Sequence, residues 1–462
     1  MTATVEPNNY VILATPCGEV RGVHEDGFLQ FSGIKYANAR RWEAPVIVTG
    51  WEGVYDATKQ GPYCPQHGYF HPEDPPEFNG FYDNQIISNT AIEFSEEDCL
   101  NVNIWAPEDG ENHPVAVFIH GGSFISGGNG NVNICNGADY CKRGIVLVSI
   151  NYRLNAFATG RDKTHGGNYG LRDQVAALTW VRDNIAAFGG DPNHVTVMGE
   201  SAGAQSVQML LYCPYAKGLF HSAVMMSGAG SWERFCWPGR PGACEAEWEL
   251  VMEHFGVDSL DDLKEVPAKE IYDAWLAATA KTPTPTLIGP CHIIDGDWIP
   301  GTLTELALTN SVIDVPCITG FSTDDIWPYF LYNAAIEWGA YHSRAGRQPV
   351  YGYYFTRDTG DDDEGAYHGL DLWYAFNTLH RCCRSFNEID QRIADNMIDY
   401  FAAFIKTGVP NVEGLANWEP LTDKETKFIE FGDELPAMVQ PPVNKLATSI
   451  RNTMKPFPGE GR

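Results

Sequence analysis

Basic residues are scarce in this sequence. Its 462 residues include 31 Lys and Arg against 60 Asp and Glu, so the formal net charge is −29 at pH 7. This excess of negative charge repels phosphate groups before any contact forms, which argues against nucleic acids and anionic membrane surfaces as partners. The acidic run Asp361–Glu364 is most simply interpreted as a solvated loop.

Long apolar runs, linkers and repeats are missing as well. No segment has the length of a membrane span, and Met1–Tyr10 lacks the basic start and apolar stretch of a signal peptide. We therefore expect a cytoplasmic protein without a membrane partner. Because no Ser/Gly linker or low-complexity tract divides the chain, we predict one domain over residues 1–462, with insertions at about 64–99, 230–310 and 326–348.

The 12 cysteines lack the spacing of a metal site. Neither Cys236 and Cys244 nor the adjacent Cys382 and Cys383 form the paired C-x-x-C or Cys/His motifs that surround zinc. In a chain of this length without an export signal, most cysteines are interpreted as buried, reduced thiols. The sequence therefore predicts no metal site.

The middle of the sequence alternates between strand-like and helical segments. Apolar residues from Leu171 to Phe188 recur every three or four positions, which is typical of a helix, and a Gly-Gly-Asp-Pro sequence follows them. Strands are predicted at Val115–His120, Ile145–Asn151, Val195–Gly199, Val312–Thr319 and Val350–Thr356. This order predicts a doubly wound, mostly parallel α/β sheet, with ligands bound beyond the carboxyl ends of its strands.

The most informative short stretch is VTVMGESAGAQSVQML at residues 195–210. The apolar, β-branched residues before Ser201 favour a buried strand, and apolar residues at helical spacing follow Gly203. A serine at such a strand-to-helix turn needs glycines nearby because neighbouring backbone passes close to it. A Gly/Ser loop that merely opens a helix is the alternative interpretation.

A glycine-rich loop follows the predicted strand Val115–His120, with the sequence HGGSFISGG at residues 120–128. Few side chains block the approach to its backbone N–H groups, so the loop can bind an oxyanion. The alternative is a flexible turn, but a G-x-S-x-G turn elsewhere in the chain makes an oxyanion hole the expected interpretation.

A serine nucleophile needs a histidine base and an acid that orients the base. Of the three late histidines, His342 precedes the last predicted strand and His380 lies on a helical run, whereas His368 follows that strand and opens the predicted helix Leu370–Leu379. For the acid, Asp324 and Asp325 both follow the strand Val312–Thr319. Spacing alone leaves these two aspartates as alternatives.

These residues resemble the type-B carboxylesterase family, which includes the cholinesterases. The likeness runs along nearly the whole chain and includes, besides the serine motif, the sequences FSGIKYA (31–37), EDCLNVNIW (97–105), NYRL (151–154), GNYGL (167–171) and NIAAFGGDP (184–192). The resemblance implies an α/β-hydrolase fold, with helical insertions over the active site, that cleaves carboxylic esters without metal or cofactor.

The resemblance also implies roles for individual residues. Ser201 corresponds to the nucleophile, Asp325 to the acid, where glutamate is more common in the family, and His368 to the base. The oxyanion donors correspond to the backbone N–H groups of Gly122, Ser123 and Ala202. Cys64 and Cys99 match a disulfide of secreted members of the family.

The expected substrates are uncharged carboxylic esters with short to medium acyl chains or aryl groups. Cholinesterases use a tryptophan between the two matching cysteines to bind a quaternary ammonium, and no tryptophan lies between Cys64 and Cys99 here. The aromatic residues expected to line the substrate pocket, with core packing as the alternative, are Trp232, Phe235, Trp237 and Trp327. The functional alternatives are a hydroxycinnamoyl (feruloyl-type) esterase, a lipase, and a non-catalytic adhesion or binding member of the family.

Overall fold

A computed structural model of the chain describes residues 4–5, 9–71, 93–130, 134–162, 164–228, 238–239, 243–281, 292–360, 364–382 and 384–442. The strands are β1 (Thr4–Val5), β2 (Tyr10–Thr15), β3 (Gly18–Glu25), β4 (Phe28–Lys35), β5 (Ala37–Asn38), β6 (Val46–Ile47), β7 (Val54–Asp56), β8 (Asn101–Pro107), β9 (His113–Ile119), β10 (Val146–Ile150), β11 (Gly190–Glu200), β12 (Ser222–Met226), β13 (Pro238–Gly239), β14 (His292–Ile293), β15 (Cys317–Ser322), β16 (Val350–Phe355), β17 (Pro420–Leu421), β18 (Phe428–Phe431) and β19 (Ala437–Val439).

Helices pack on both faces of the sheet. The helices are α1 (His67–Phe70), α2 (Ala138–Cys141), α3 (Asn155–Thr159), α4 (Tyr169–Asn184), α5 (Ala202–Tyr212), α6 (Ala243–Phe255), α7 (Ala268–Thr279), α8 (Leu303–Leu308), α9 (Pro328–Arg344), α10 (Asp371–Ala375) and α11 (Glu388–Thr407). Within the described ranges, no helix combines the length and apolar character that crossing a lipid bilayer requires.

One large sheet organises the molecule, with the strand order β1-β2-β3-β4-β8-β10-β9-β11-β12-β15-β16-β18-β19. From β10 to β18 all neighbouring strands of this path are parallel. The amino-terminal strands β2, β3, β4 and β8 pair antiparallel, and β8 joins them to β10. The predicted α/β fold with a mostly parallel central sheet is confirmed, whereas the antiparallel flank was not predicted.

The central strands are apolar on both faces because helices cover both. Every residue of β8, β10, β12, β15 and β16 is buried. Adjacent residues of β11 point to opposite faces, so Val197 belongs to one core cluster, with residues of α4, α5 and α9, and Met198 to another, with residues of α10 and α11. A continuous apolar run is the expected pattern for a strand buried in this way.

Several predicted elements have different bounds in the structure, and two of them show the physical reason. The strand predicted at Val312–Thr319 begins only at Cys317, because Pro316 has no N–H to donate to a neighbouring strand. The helix predicted at Leu370–Leu379 ends at Ala375, since Asn377 adopts a left-handed φ of 53°. A separate 3₁₀ turn then covers Leu379–Arg381.

A smaller helical cluster lies outside the sheet. Helices α3, α6 and α7 pack together around Trp42 and Phe70, and Trp42 meets Trp248 edge-on with ring centroids 5.4 Å apart. Helices α6 and α7 fall within the insertion predicted at about 230–310. The division of the chain into one domain with three insertions stays a prediction.

A buried ion pair joins the segment that follows β10 to helix α4. Arg153 contacts Asp173 through Nη2 and Oδ1 at 2.7 Å and through Nε and Oδ2 at 2.8 Å. Removing one partner of such a pair costs about 3–5 kcal/mol, because the other charge is left buried and unpaired. The pair therefore helps to fix residues 151–155, of which Tyr152 and Asn155 donate hydrogen bonds to the glycine-rich loop described next.

Candidate active site

Ser201 occupies the turn between β11 and α5 in a backbone conformation that few side chains adopt. Its φ is 56° and its ψ is −121°. A Cβ built on Gly199 would lie 2.3 Å from the carbonyl carbon of Gly203, and one built on Gly203 would lie 2.0 Å from the carbonyl oxygen of Ile119. Both glycines are therefore required by close backbone approach, and the predicted strand-turn-helix around Ser201 is confirmed.

The glycine-rich loop after β9 lies against this turn. A Cβ built on Gly121 would be 3.1 Å from the Cβ of Ser201. Gly122, Ser123 and Phe124 follow with φ values of 98°, 58° and 61°. Ala202 is the first residue of α5, so its N–H has no partner within the helix. The three predicted oxyanion donors thus lie on two segments that meet at Ser201.

Several buried contacts hold the glycine-rich loop in place. The Gln66 side chain donates to the carbonyl of Gly127 at 3.0 Å and accepts from its N–H at 2.9 Å. The Tyr152 hydroxyl donates to the carbonyl of His120 at 2.9 Å, and the two rings stack with centroids 4.5 Å apart. Left-handed residues with side chains cost about 1–2 kcal/mol each, so the loop needs such support.

The structure brings His368 and Asp325 together at the same edge of the sheet. His368 Nδ1 lies 2.7 Å from Asp325 Oδ1. Asp325 also accepts the N–H of Ile326 at 2.8 Å and that of Ser322 at 3.2 Å. The carboxylate is buried, while 16% of the His368 side chain remains exposed. This arrangement lets Asp325 orient the imidazole and leaves Nε2 directed away from the acid.

Asp324, the other aspartate considered from the sequence, bonds the backbone rather than His368. Its Oδ2 accepts the N–H of Ala366 at 3.0 Å, and its own N–H donates to the Ala366 carbonyl at 3.0 Å. Asp324 therefore ties the loop after β15 to the loop that carries His368. Asp325, the next residue, faces the imidazole.

The two other late histidines lie elsewhere. His342 is buried on α9, where its Nδ1 contacts the carbonyl of Gln348 at 2.8 Å. His380 is exposed on the 3₁₀ turn Leu379–Arg381. The preference for His368 as the histidine beside Asp325 agrees with this geometry.

Two buried acids beside His368 were missed by the sequence analysis. Glu200 Oε1 lies 3.2 Å from His368 Nε2, within ion-pair range although not aligned as a hydrogen bond. Asp371 is fully buried and its Oδ2 accepts the Tyr353 hydroxyl at 2.5 Å. The available signals were the position of Glu200 inside the serine motif and the three-residue spacing from His368 to Asp371.

The charges around His368 determine its basicity. Burial alone would lower the pKa of His368, but the carboxylates of Asp325 and Glu200 outweigh burial and raise the pKa above the ordinary value of 6.5. Burial also raises the pKa of Glu200, and the nearby Asp371 and Asp325 raise that pKa further. Asp325 has the larger influence on His368, because its carboxylate bonds Nδ1 at 2.7 Å whereas Glu200 lies 3.2 Å from Nε2 without a hydrogen bond.

The predicted pocket residues are only partly covered by the structure. Trp232, Phe235 and Trp237 lie outside the described residues. Trp327 is half-buried and stands immediately before α9, two residues after Asp325. Its place near the acid is consistent with a pocket residue, but its role stays a prediction.

Cys64 and Cys99 are free thiols in the structure, not the disulfide that the resemblance implies. The Cys64 thiol donates to the carbonyl of Tyr152 at 3.0 Å. Burial and a contact with the Cys99 thiol raise the pKa of Cys64 well above its usual range. Among the described residues, no three His, Cys, Asp or Glu side chains are arranged to hold a metal ion.

Comparison with known proteins places the chain in a family. Residues 9–335 and 328–447 match the family described as "Carboxylesterase family". The para-nitrobenzyl esterase of Bacillus subtilis (strain 168) is 42% identical over 228 residues, which span 47% of this chain and 44% of that protein. The phenmedipham hydrolase of Pseudarthrobacter oxydans is 27% identical over 492 residues, which span 92% and 95%. Human neuroligin-2 is 31% identical over 331 residues, 63% of this chain and 38% of its own.

Solved structures show the same relationship over the whole fold. A thermophilic PNB esterase superimposes with a TM-score of 0.81 at 26% identity, covering 94% of this chain and 99% of the esterase. A carboxylesterase of Geobacillus stearothermophilus gives a TM-score of 0.77 at 27% identity, with coverages of 95% and 99%. These relatives support a carboxylic ester hydrolase with an α/β-hydrolase fold, and the chain belongs to the carboxylesterase family.

Proposed function

We propose that this protein is a serine carboxylesterase that cleaves uncharged carboxylic esters through an acyl-enzyme. The observation that carries the proposal is the 2.7 Å contact between His368 and Asp325. The same imidazole also contacts Glu200, the residue before Ser201. A nucleophile, a base and an orienting acid at one point are the arrangement that acyl transfer requires.

In the first half of the reaction, the Ser201 hydroxyl attacks the ester carbonyl carbon and His368 Nε2 takes the hydroxyl proton. The carbonyl electron pair moves to oxygen, and Asp325 stabilises the charged imidazole. When the intermediate collapses, the bond to the alcohol breaks and His368 gives the alcohol its proton. Water then attacks the acyl-enzyme by the same steps, which releases the acid and restores Ser201.

The backbone N–H groups of Gly122, Ser123 and Ala202 bind the oxygen that becomes negative. Each such donor contributes on the order of 3 kcal/mol where one has been removed from comparable enzymes. The left-handed backbone at Ser123 and the free N–H at the start of α5 support this role. Because the donors are backbone groups, the serine side chain at position 123 does not interfere with the hole.

Small aryl esters are the substrate class that we favour. One relative is named a para-nitrobenzyl esterase, and the nitrobenzyl group in that name is a small aromatic group. Hydroxycinnamoyl esters and long-chain lipids are the alternatives, the latter being less compatible with a net charge of −29. A panel of p-nitrophenyl acetate, butyrate and octanoate with a feruloyl ester separates these classes by kcat/KM.

A non-catalytic binding role is less well supported. Neuroligin-2 is also a relative, but the alignment with the human protein spans only 38% of it. In this chain, Ser201, His368 and Asp325 are all present at the carboxyl edge of the sheet. A purely structural role gives no reason to bury three carboxyl groups around one histidine.

The direct test is Ser201→Ala with p-nitrophenyl butyrate as substrate. We expect kcat to fall to the background rate while the far-ultraviolet circular dichroism and Tm stay unchanged. Ser222→Ala is the matched control, since Ser222 is buried on the neighbouring strand and bonds Thr196. Parental activity in Ser201→Ala, or failure of a fluorophosphonate to label Ser201, would show that the proposed function is wrong.

A reducing, cytoplasmic location is a further part of this proposal. Eight cysteines within the described residues are buried and free, which supports reduced thiols. Thiol titration of the denatured protein, purified from its natural source without reductant, should return all 12 cysteines of the sequence. A value lower by two, with Cys64 and Cys99 linked by mass spectrometry, would contradict this location.

A further inference from the structure

The oxyanion loop contains backbone strain that an adjacent side chain must hold. Ser123 and Phe124 both adopt left-handed φ values, 58° and 61°. Such residues persist only when their surroundings fix them. The direction of the Ser123 N–H depends on this backbone, so whatever fixes Phe124 also fixes a donor of the proposed oxyanion hole.

The Phe124 side chain is held by His292. Phe124 is 6% exposed and His292 is 5% exposed. Their rings meet edge to face, with centroids 4.7 Å apart and an interplanar angle of 87°. This is the favoured geometry for two aromatic rings, because the positive edge of one ring faces the negative face of the other.

His292 is itself rigidly placed. The buried Asn168 side chain accepts the N–H of Ile293 at 2.7 Å and donates to its carbonyl at 2.8 Å. His292 also pairs with Pro238 in a short parallel ladder. Burial lowers the pKa of His292 to about 4, so its ring is a neutral aromatic partner at neutral pH.

We propose that His292 is a positioning residue for the oxyanion hole: its ring fixes Phe124, and Phe124 in turn fixes the N–H of Ser123. This inference rests on the proposed ester hydrolysis and adds a residue that lies far from Ser201 in sequence. His292 has no role in proton transfer. Its effect is confined to the alignment of a donor for the transition state.

The test compares His292→Ala with His292→Phe on p-nitrophenyl butyrate. We expect His292→Ala to lower kcat and kcat/KM by the same factor, about tenfold to a hundredfold, with KM unchanged, because the lost interaction forms only in the transition state. His292→Phe keeps the edge-to-face contact and should stay within threefold of the parent on both constants.

The affinity for a trifluoromethyl ketone measures oxyanion binding and does not change when a variant only loses stability. Ser201 Oγ adds to its carbonyl carbon, the hydroxyl proton passes to His368, and the carbonyl oxygen becomes an oxyanion in the hole. Its affinity should fall by the same factor as kcat in His292→Ala and recover in His292→Phe. His342→Ala is the matched control, because His342 is also buried and its ring lies 4.5 Å from that of Trp338. His342 is on α9 and contacts Gln348, just before β16 begins, whereas His368 follows the end of β16. Both readouts should keep their parental values.

Each remaining outcome decides the proposal. An active His292→Ala, an unchanged ketone affinity, or a His292→Phe as impaired as His292→Ala overturns it and leaves the proposed function intact. A wild-type protein that neither hydrolyses esters nor binds the ketone overturns both. If His292→Ala does not fold, Phe124→Leu removes the same contact from the loop side and must show the same parallel loss.

Discussion

The two halves of the candidate site are held by different forces. The nucleophile side (residues 119–124 and 199–203) is fixed by close packing of backbone segments. Its glycines permit distances at which a Cβ would clash, and Ser123 and Ser201 adopt left-handed φ values. The histidine side (residues 322–326 and 365–371) is fixed by carboxylates, which bond backbone N–H groups and the imidazole. Damage to the first side should be independent of pH, whereas damage to the second should change the pH profile.

The largest expected effect is that of Asp325→Asn on the histidine side. The amide cannot stabilise a charged imidazole, so kcat/KM should fall by about 10⁴-fold, as in serine hydrolases whose acid has been replaced in this way. Because Asp325 raises the pKa of His368, the remaining activity should persist to lower pH than in the parent. Measurement of kcat/KM from pH 5 to 9 checks both statements.

Asp324→Asn is the matched control for this variant. Its amide oxygen still accepts the N–H of Ala366, the contact that Asp324 makes at 3.0 Å. We expect a loss below tenfold and an unchanged pH profile. Equal losses in the two variants would contradict the assignment of the acid to Asp325.

Gly203→Ala has the largest effect expected on the nucleophile side. The new Cβ would lie 2.0 Å from the carbonyl oxygen of Ile119, so α5 must move and carry the N–H of Ala202 with it. We expect kcat to fall by about 10²–10³-fold and by the same factor at every pH. The ratio of variant to parental kcat/KM, plotted against pH, should be flat.

Gly68→Ala is the control for that variant, since Gly68 lies on α1 and a Cβ there meets nothing within 4 Å. Its activity should equal that of the parent. A pH-dependent ratio for Gly203→Ala would break the comparison between the two halves, because a steric change would then be acting through the charge of His368.

Glu200→Gln should have the smallest effect on kcat/KM. The Glu200 side chain links the two halves of the site, because it directly precedes Ser201 and contacts His368. Glu200 belongs to the serine turn, yet its carboxylate raises the pKa of His368 when ionised. The base is active only when neutral, so removing this charge lets His368 lose its proton at lower pH. The acid limb of kcat/KM should move down by about 0.5–1 pH unit, with the plateau within tenfold of the parent. An unmoved or upward-shifted limb would refute the charge contact.

The parts of the site that the sequence predicts are those set by sterics along the chain. Gly199 and Gly203 indicate the turn at Ser201 because no larger residue fits there. The choice among three histidines followed from their order relative to the strands. Asp324 and Asp325 could not be separated by position, because neighbouring residues in one loop face different partners and only the fold shows which.

The charges and the supports of the site escaped sequence analysis for a common reason. Glu200 and Asp371 become important through burial beside His368, and burial is a property of the packed molecule. The contact between Phe124 and His292 likewise joins positions far apart in the chain, and no local sequence pattern predicts it. The possible disulfide of Cys64 and Cys99 came from the resemblance to secreted members of the family, and the structure has free thiols there.

The sequence by itself determined the α/β alternation, the strained serine turn and the glycine-rich loop, because each depends on local sterics and on periodic burial. Only the tertiary structure decided which aspartate meets His368, which acids surround it, and how the loop at Ser123 is held. Those features depend on distances between segments that the chain order leaves open, and electrostatic interactions weaken with distance and with exposure to water.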